Sequence, residues 1–310
     1  MASFETVTVQ LDDGAQLCVQ TIGDPAAPAL LLIGGATWSM DWWEDELCQQ
    51  LAERRRRVIR YDTRDTGRST SYPIGAPTYS STDLTDDNLS ILNSLGVEQA
   101  HVVGLSMGGG IAQSLALGYR DRVASLTLIA TSPIDPEITG LPAPAPEISA
   151  SFSAVRPDPD WTDRKAVIEF ILEGERPYAG PGNFHESELR PLIARVVDRS
   201  TSIAASMTNH FLVTDDDPSE VSLGALAGIP TLLLHGTADP LFPIAHGRAL
   251  AEVIPGARLV ELPGMGHQLP PRDTWALVVD LLIGHTAGQL SSAVRRTRRA
   301  AGSSHPNPPQ

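Results

Sequence analysis

The chain has 310 residues, 42% hydrophobic and 19% charged, with a net charge of −14; that is enough apolar material for one large domain or two small ones. The acid excess excludes a nucleic-acid-binding body, which needs a basic footprint, and no apolar run reaches the roughly 18 residues of a membrane span. The N-terminus lacks the basic start and apolar stretch of a signal peptide, and Cys18 and Cys48 show neither CxxC nor metal spacing, so a cytoplasmic protein with two reduced, buried thiols is expected.

The first third alternates strands and helices. Thr6 to Leu11 has the two-residue period of a strand, and Asp12-Asp13-Gly14 is a hairpin turn before a return strand over Gln16–Ile22. Ala29 to Ile33 is a continuous apolar run stopped by Gly34-Gly35, as in a strand buried on both faces of a parallel sheet. Trp43 to Arg54 reads as a helix, with the arginine run Arg54–Arg57 at its C-terminal end, where cations are favoured. Strands follow at Arg57–Tyr61, Ala100–Val103 and Val123–Ala130, with helices over Ser81–Leu95 and Gly108–Tyr119 between them. This alternation implies a mostly parallel sheet flanked by helices.

The strand rhythm then breaks. Residues 133–226 hold helical stretches, Trp161–Glu173 and Glu186–Arg199 among them, but no strong strand; they are expected to form a helical lid inserted into one α/β core made of residues 1–132 and 227–287. Strands resume at Pro230–Leu234 and Ala257–Leu262, with helices near Ile244–Val253 and Asp273–Ile283. Beyond Asp280 there are no acids, only Arg295, Arg296, Arg298 and Arg299. The body to Asp280 carries −18 and the remainder +4, and residues 288–310 are expected to form a basic, disordered tail.

Chemistry concentrates at Gly104-Leu105-Ser106-Met107-Gly108, where a buried strand meets an apolar-faced helix. A sharp turn there exposes the serine, small residues on either side let the backbone cross itself, and the helix N-terminus supplies N–H donors. Ser106 is the candidate nucleophile, and it needs a base and an orienting acid. His267, in the Gly264-Met265-Gly266-His267 loop after the last strand, is the candidate base, and Asp239, also just past a strand end, the candidate acid. Asp65 and Asp216 are the alternatives to Asp239. One oxyanion donor is expected from the N–H of Met107. The other is expected from the Gly34–Trp38 loop, with Ala36 first and Thr37 second.

Trp38, Trp42 and Trp43 either line an aromatic substrate pocket or belong to the core. Phe152, Trp161, Phe170, Phe184, His185, His210 and Phe211 of the helical segment are candidates to face a substrate. Trp38 and Phe211 are taken as substrate-binding. The charged run Arg60–Thr70 is expected to be a hydrogen-bonded loop bracing the serine turn. No metal or cofactor motif is read.

With Ser106, Asp239 and His267 in that order, the chain resembles the α/β-hydrolase superfamily. Within it, the chain is similar to the bacterial polyketide esterases that include aclacinomycin methylesterase. The stretches carrying the resemblance are Leu31–Trp43, Arg60–Thr70, His101–Met107, His235–Pro240 and Leu262–His267. The family often has His-Gly where this chain has Gly34-Gly35. The resemblance implies an α/β-hydrolase fold, removal of a methyl ester from an aromatic polyketide, and a small-molecule ester as the partner, with neither nucleic acid nor membrane. Acyl transfer, lactonisation or cyclisation on the same residues, and a non-catalytic ligand-binding protein, are the alternatives.

Overall fold

The computed structural model describes residues 3–153, 157–214 and 222–287. Residues 288–310, where the basic tail was expected, and Asp216 lie outside the described residues.

Eight strands form one sheet: β1 (Glu5–Gln10), β2 (Gln16–Ile22), β3 (Ala29–Ile33), β4 (Arg57–Tyr61), β5 (Ala100–Leu105), β6 (Val123–Ile129), β7 (Thr231–Gly236) and β8 (Arg258–Leu262). Their order across the sheet is β1-β2-β4-β3-β5-β6-β7-β8. The β1–β2 and β2–β4 pairings are antiparallel and all others parallel. The Asp12-Asp13-Gly14 hairpin closes as the sequence implies, with Gly14 at φ 88°, where a side chain would be strained.

Helices cover both faces: α1 (Asp45–Glu53), α2 (Ser81–Ser94), α3 (Met107–Gly118), α4 (Pro146–Ser153), α5 (Arg164–Glu175), α6 (Glu186–Arg199), α7 (Ile203–Thr208), α8 (Ala245–Val253) and α9 (275–287). Several starts are written in the sequence. Ser80 and Asp83 form a reciprocal capping box at α2, and the Asp163 side chain caps α5. The helix expected from Trp43 begins at Asp45, because Met40–Trp42 form a separate 3-10 turn. The arginine run divides in two. Arg54 stays at the surface and pairs with Asp280, while Arg56 is buried against Thr286 and the Ile283 carbonyl of α9.

All five residues of β3 are buried, and its alternation supplies two cores. Leu31 and Ile33 pack with Ile111 and Leu115 of α3 and Ile91 of α2. Leu30 and Leu32 pack with Leu47 and Leu51 of α1, Val278 and Leu282 of α9, and Ile171 and Ile193 of α5 and α6. The helices α4–α7 fall between β6 and β7 in sequence, yet these two strands are neighbours in register, Leu126 with Thr231 through Ile129 with Leu234. The helical segment is therefore an insertion over an uninterrupted sheet. No helix among the described residues is long and apolar enough to cross a membrane, and Cys18 and Cys48 are both buried and free.

Candidate active site

Ser106 sits between β5 and α3 with φ 53° and ψ −118°, a left-handed conformation that a non-glycine residue holds only when its surroundings enforce it. The enforcement is local. A Cβ on Gly104 would lie 2.1 Å from the Gly108 carbonyl oxygen, and one on Gly108 would lie 2.5 Å from the carbonyl oxygens of Ile33 and Gly34. The two glycines let the turn close on itself and let α3 start directly beneath β3. The Ser106 carbonyl accepts from Gly109 N–H and the Thr131 hydroxyl, both at 2.8 Å. Its hydroxyl stays partly exposed at the C-terminal edge of the sheet.

His267 and Asp239 arrive on the loops after β8 and β7. The His267 N–H donates to the Tyr178 carbonyl at 2.8 Å. A Cβ on Gly266 would come within 2.2 Å of Tyr178 O and Gly180 N, so only glycine passes there. His267 Nδ1 lies 2.9 Å from Asp239 Oδ2, and His267 Nε2 lies 2.9 Å from Ser106 Oγ. The other oxygen, Asp239 Oδ1, accepts from Leu241 N–H at 2.9 Å and Phe242 N–H at 2.8 Å. A carboxylate held this way keeps the proton on Nδ1 and turns the Nε2 lone pair toward the serine hydroxyl. Both side chains are buried, and the Phe242 ring meets the imidazole edge-on at 5.3 Å. Such an array can take a proton from an attacking serine and return it to a leaving group.

Other histidines are engaged elsewhere. His101 bonds the Ser125 hydroxyl, His235 the Phe242 carbonyl, His246 the Ser132 hydroxyl and Pro142 carbonyl, and His285 the Leu126 carbonyl. Asp65 accepts from Tyr72 N–H, the Tyr79 hydroxyl and the Asn209 amide, so it is a structural carboxylate.

The loop after β3 lies across the serine turn: a Cβ on Gly35 would be 3.5 Å from Ser106 Cβ. Trp38 N–H donates to the Gly35 carbonyl at 3.2 Å, closing a turn that holds Ala36 and Thr37. Thr37 N–H donates to His210 Nδ1 at 2.9 Å, which removes it as a donor to substrate, whereas Ala36 N–H has no acceptor among the described residues. Met107 opens α3, and first-turn N–H groups have no intrahelical acceptor.

Trp38 and Trp42 stack at 4.6 Å with planes 8° apart and wall a cleft enclosing about 70 Å³. Glu175, Asn183, His185 and Leu189 of the insertion face them, with Gln268 next to His267. Burial pushes the Glu175 carboxyl up to about 7. Glu44 on the same wall is paired with Arg272. Trp43 belongs to the core. Phe211 is 66% exposed and stands outside the cleft lining; the 3-10 turn Asn209–Leu212 instead directs its neighbour His210, 7% exposed, into the protein.

The charged loop after β4 is a hydrogen-bonded brace, and what it braces is the insertion. Asp62 is fully buried and binds Arg199 of α6, Met40 N–H and Arg68 N–H. Thr201 N–H donates to Gly67 O at 2.7 Å, and the Ser206 hydroxyl donates to Asp65 O. Sequence reasoning missed these ties and the turn of His210. They join residues far apart in the chain, and no periodicity or motif marks them.

A doubly wound sheet with a serine turn after β5 and an acid and a histidine on later post-strand loops defines a class. The chain belongs to the α/β-hydrolase fold family, whose pattern it matches over residues 28–270. Within that family it is a serine hydrolase of the esterase class. It is similar to the rhodomycin D methylesterase DauP of Streptomyces sp. (strain C5), 35% identical over 276 residues, which cover 83% of this chain and 91% of that protein. It is similar also to the rhodomycin D methylesterase DnrP of Streptomyces peucetius, at 32% identity, 84% of this chain and 91% of that one. Among solved structures, a hydrolase from Pseudomonas aeruginosa PA01 superposes with a TM-score of 0.68 at 26% identity, over 92% of this chain and 98% of the other.

Proposed function

We propose that the chain removes a methyl ester from an aromatic, polyketide-type acid through an acyl-enzyme on Ser106. The observation that carries this reading is the unbroken chain Ser106 Oγ, His267, Asp239, with 2.9 Å at each link. His267 Nε2 accepts the Ser106 proton as Oγ bonds to the ester carbonyl carbon. The resulting oxyanion sits between the N–H groups of Met107 and Ala36, and each such donor is worth roughly 10²–10³-fold in rate. Collapse breaks the ester C–O bond, and His267 gives its proton to the leaving methanol. Water then attacks the acyl-enzyme, loses a proton to His267, and the acid departs as that proton returns to Ser106 Oγ.

Two things support the aromatic acyl part. The relatives at 35% and 32% identity are rhodomycin D methylesterases, and the stacked Trp38–Trp42 pair gives an aromatic wall to a cleft that runs to Gln268, the residue after His267. Residues 133–226 serve in this reading as the lid that closes the cleft. The setting is cytoplasmic, which suits two buried, unpaired cysteines.

The test has two arms. A fluorophosphonate should label the protein on Ser106 and label Ser106→Ala not at all. The protein is then offered methyl esters of aromatic polyketides beside short aryl esters, with products read by mass. An acid about 14 Da lighter than the polyketide ester, with the ester methyl exchanged for hydrogen, is the expected product. Absence of a Ser106 adduct overturns the mechanism, and hydrolysis confined to aryl esters overturns the substrate.

A further inference from the structure

The insertion reaches the loop after β3 through one side chain. His210 lies between two backbone groups of the core: Thr37 N–H donates to its Nδ1 at 2.9 Å, and its Nε2 lies 2.8 Å from the Arg64 carbonyl. A carbonyl only accepts, so Nε2 carries the hydrogen and Nδ1 is the acceptor. The ring is therefore held in one neutral tautomer with both nitrogens used, at 7% exposure. Burial holds its pKa below the ordinary histidine range, which keeps that tautomer in place.

His210 is itself firmly seated. Its neighbour Asn209 donates to Asp65 Oδ2 at 3.0 Å and accepts from Gly75 N–H at 2.8 Å. What it grips is strained. Thr37 has φ 69°, which costs a β-branched residue free energy unless outside contacts enforce it. The Thr37 N–H belongs to the Ala36–Thr37 peptide, so fixing that N–H fixes the plane next to the Ala36 N–H.

We propose that His210 is a positioning residue for the oxyanion hole: through Thr37 N–H it holds the turn in the one orientation that aims the Ala36 N–H at the carbonyl bound to Ser106. This rests on the acyl-enzyme reading above. It places part of the catalytic geometry under the control of the inserted helices.

The experiment compares His210→Asn with His210→Leu on a short aryl ester. The Asn Oδ1 can still accept from Thr37 N–H, whereas Leu cannot; both lose the Arg64 bond. His210→Leu is expected to lower kcat by roughly 10²-fold or more with KM little changed, since the oxyanion exists only in the transition state. His210→Asn should stay within about tenfold of the parent on the same reasoning, although both variants lose similar thermal stability. In the Leu background, Thr37→Gly should recover part of the loss, because glycine adopts φ near 69° unaided. If His210→Leu does not fold, His210→Ser, whose hydroxyl is too short to reach Thr37, replaces it. Equal losses in the acceptor and non-acceptor variants, or a loss confined to KM, overturn the proposal. Ester turnover that survives Ser106→Ala overturns the acyl-enzyme reading, and this proposal with it.

Discussion

Arg199 of α6 and Asp62 at the end of β4 are joined by two charge-assisted bonds, one of 2.6 Å from Nη1 to Oδ2 and one from Nη2 to Oδ1, with the carboxylate fully buried. The same guanidinium reaches Asp41 at the far end of the loop after β3, so one side chain ties insertion, sheet and loop together. Asp62 also takes two backbone N–H groups, and Arg199 is its one ion-pair partner among the described residues.

Arg199→Leu should therefore be costly out of proportion to its partial exposure. It strands a buried carboxylate, and stability should fall by roughly 3 kcal/mol. Arg199→Lys should recover little, because an ammonium cannot reproduce the two parallel bonds. Denaturant unfolding checks both; a lysine variant as stable as the parent contradicts the account.

Asp239→Asn should inactivate without unfolding. Asp239 Oδ1 accepts two backbone N–H groups, so the amide oxygen of an Asn must take that place and its NH₂ must face His267. The NH₂ then donates to Nδ1, the imidazole hydrogen moves to Nε2, and the ring points a proton at Ser106 instead of a lone pair. A fall in kcat of roughly 10⁴-fold with an unchanged melting temperature is expected. Retained activity would show that Asp239 does not set the tautomer.

Two neighbouring glycines should respond in opposite ways. Gly108→Ala puts a methyl 2.5 Å from two backbone oxygens and should destabilise strongly or prevent folding. Gly110→Ala meets only Ile134 Cγ2 at 3.5 Å, inside α3, and should raise stability by about 0.5–1 kcal/mol through helix propensity. Thermal melts of the pair decide it, and equal effects would count against the serine turn as the reason for Gly108.

Acid should weaken the fold before it protonates most carboxylates. Burial, helped by Arg56 and His285, pushes His101 down to about 4. Burial also holds His210, His235 and His285 below the ordinary range. Below pH 6.5 or so the unfolded chain takes up protons that the folded chain refuses, so the stability from these neutral rings is complete above that pH. It is lost progressively as the pH falls toward the folded values. His101 alone accounts for on the order of 3 kcal/mol across its window. Melting temperatures from pH 7.5 to 4 should drop steadily below about 6.5; a flat profile to 4.5 contradicts this.

The serine turn is legible because strand, glycine spacing and helix occur together at Gly104–Gly108, and His267 and Asp239 stand out because each sits on a loop just past a strand end. Those signals are local. The grip of His210 on Thr37 spans 173 positions, and nothing in either segment marks it. Phe211, taken from the sequence as substrate-binding, is exposed, while its neighbour His210 is buried. Which member of a 3-10 turn faces inward depends on where Asn209 is anchored, and that anchor, Asp65, lies far back in the chain. Arg199 likewise reads from the sequence as the surface end of an amphipathic helix.

The adjacency of β6 and β7 across the whole insertion also orders events during synthesis. Strands β1 to β6, and the Gly104–Gly108 segment between β5 and α3, leave the ribosome first. The acid and the histidine come only on the segments after β7 and β8, and the long insertion must emerge before β7 can find its edge. A chain that ends before β7 thus contains Ser106 but neither the acid nor the histidine that would take its proton. Hydrolytic competence appears only when the last strand docks, so the onset of turnover times the completion of the fold.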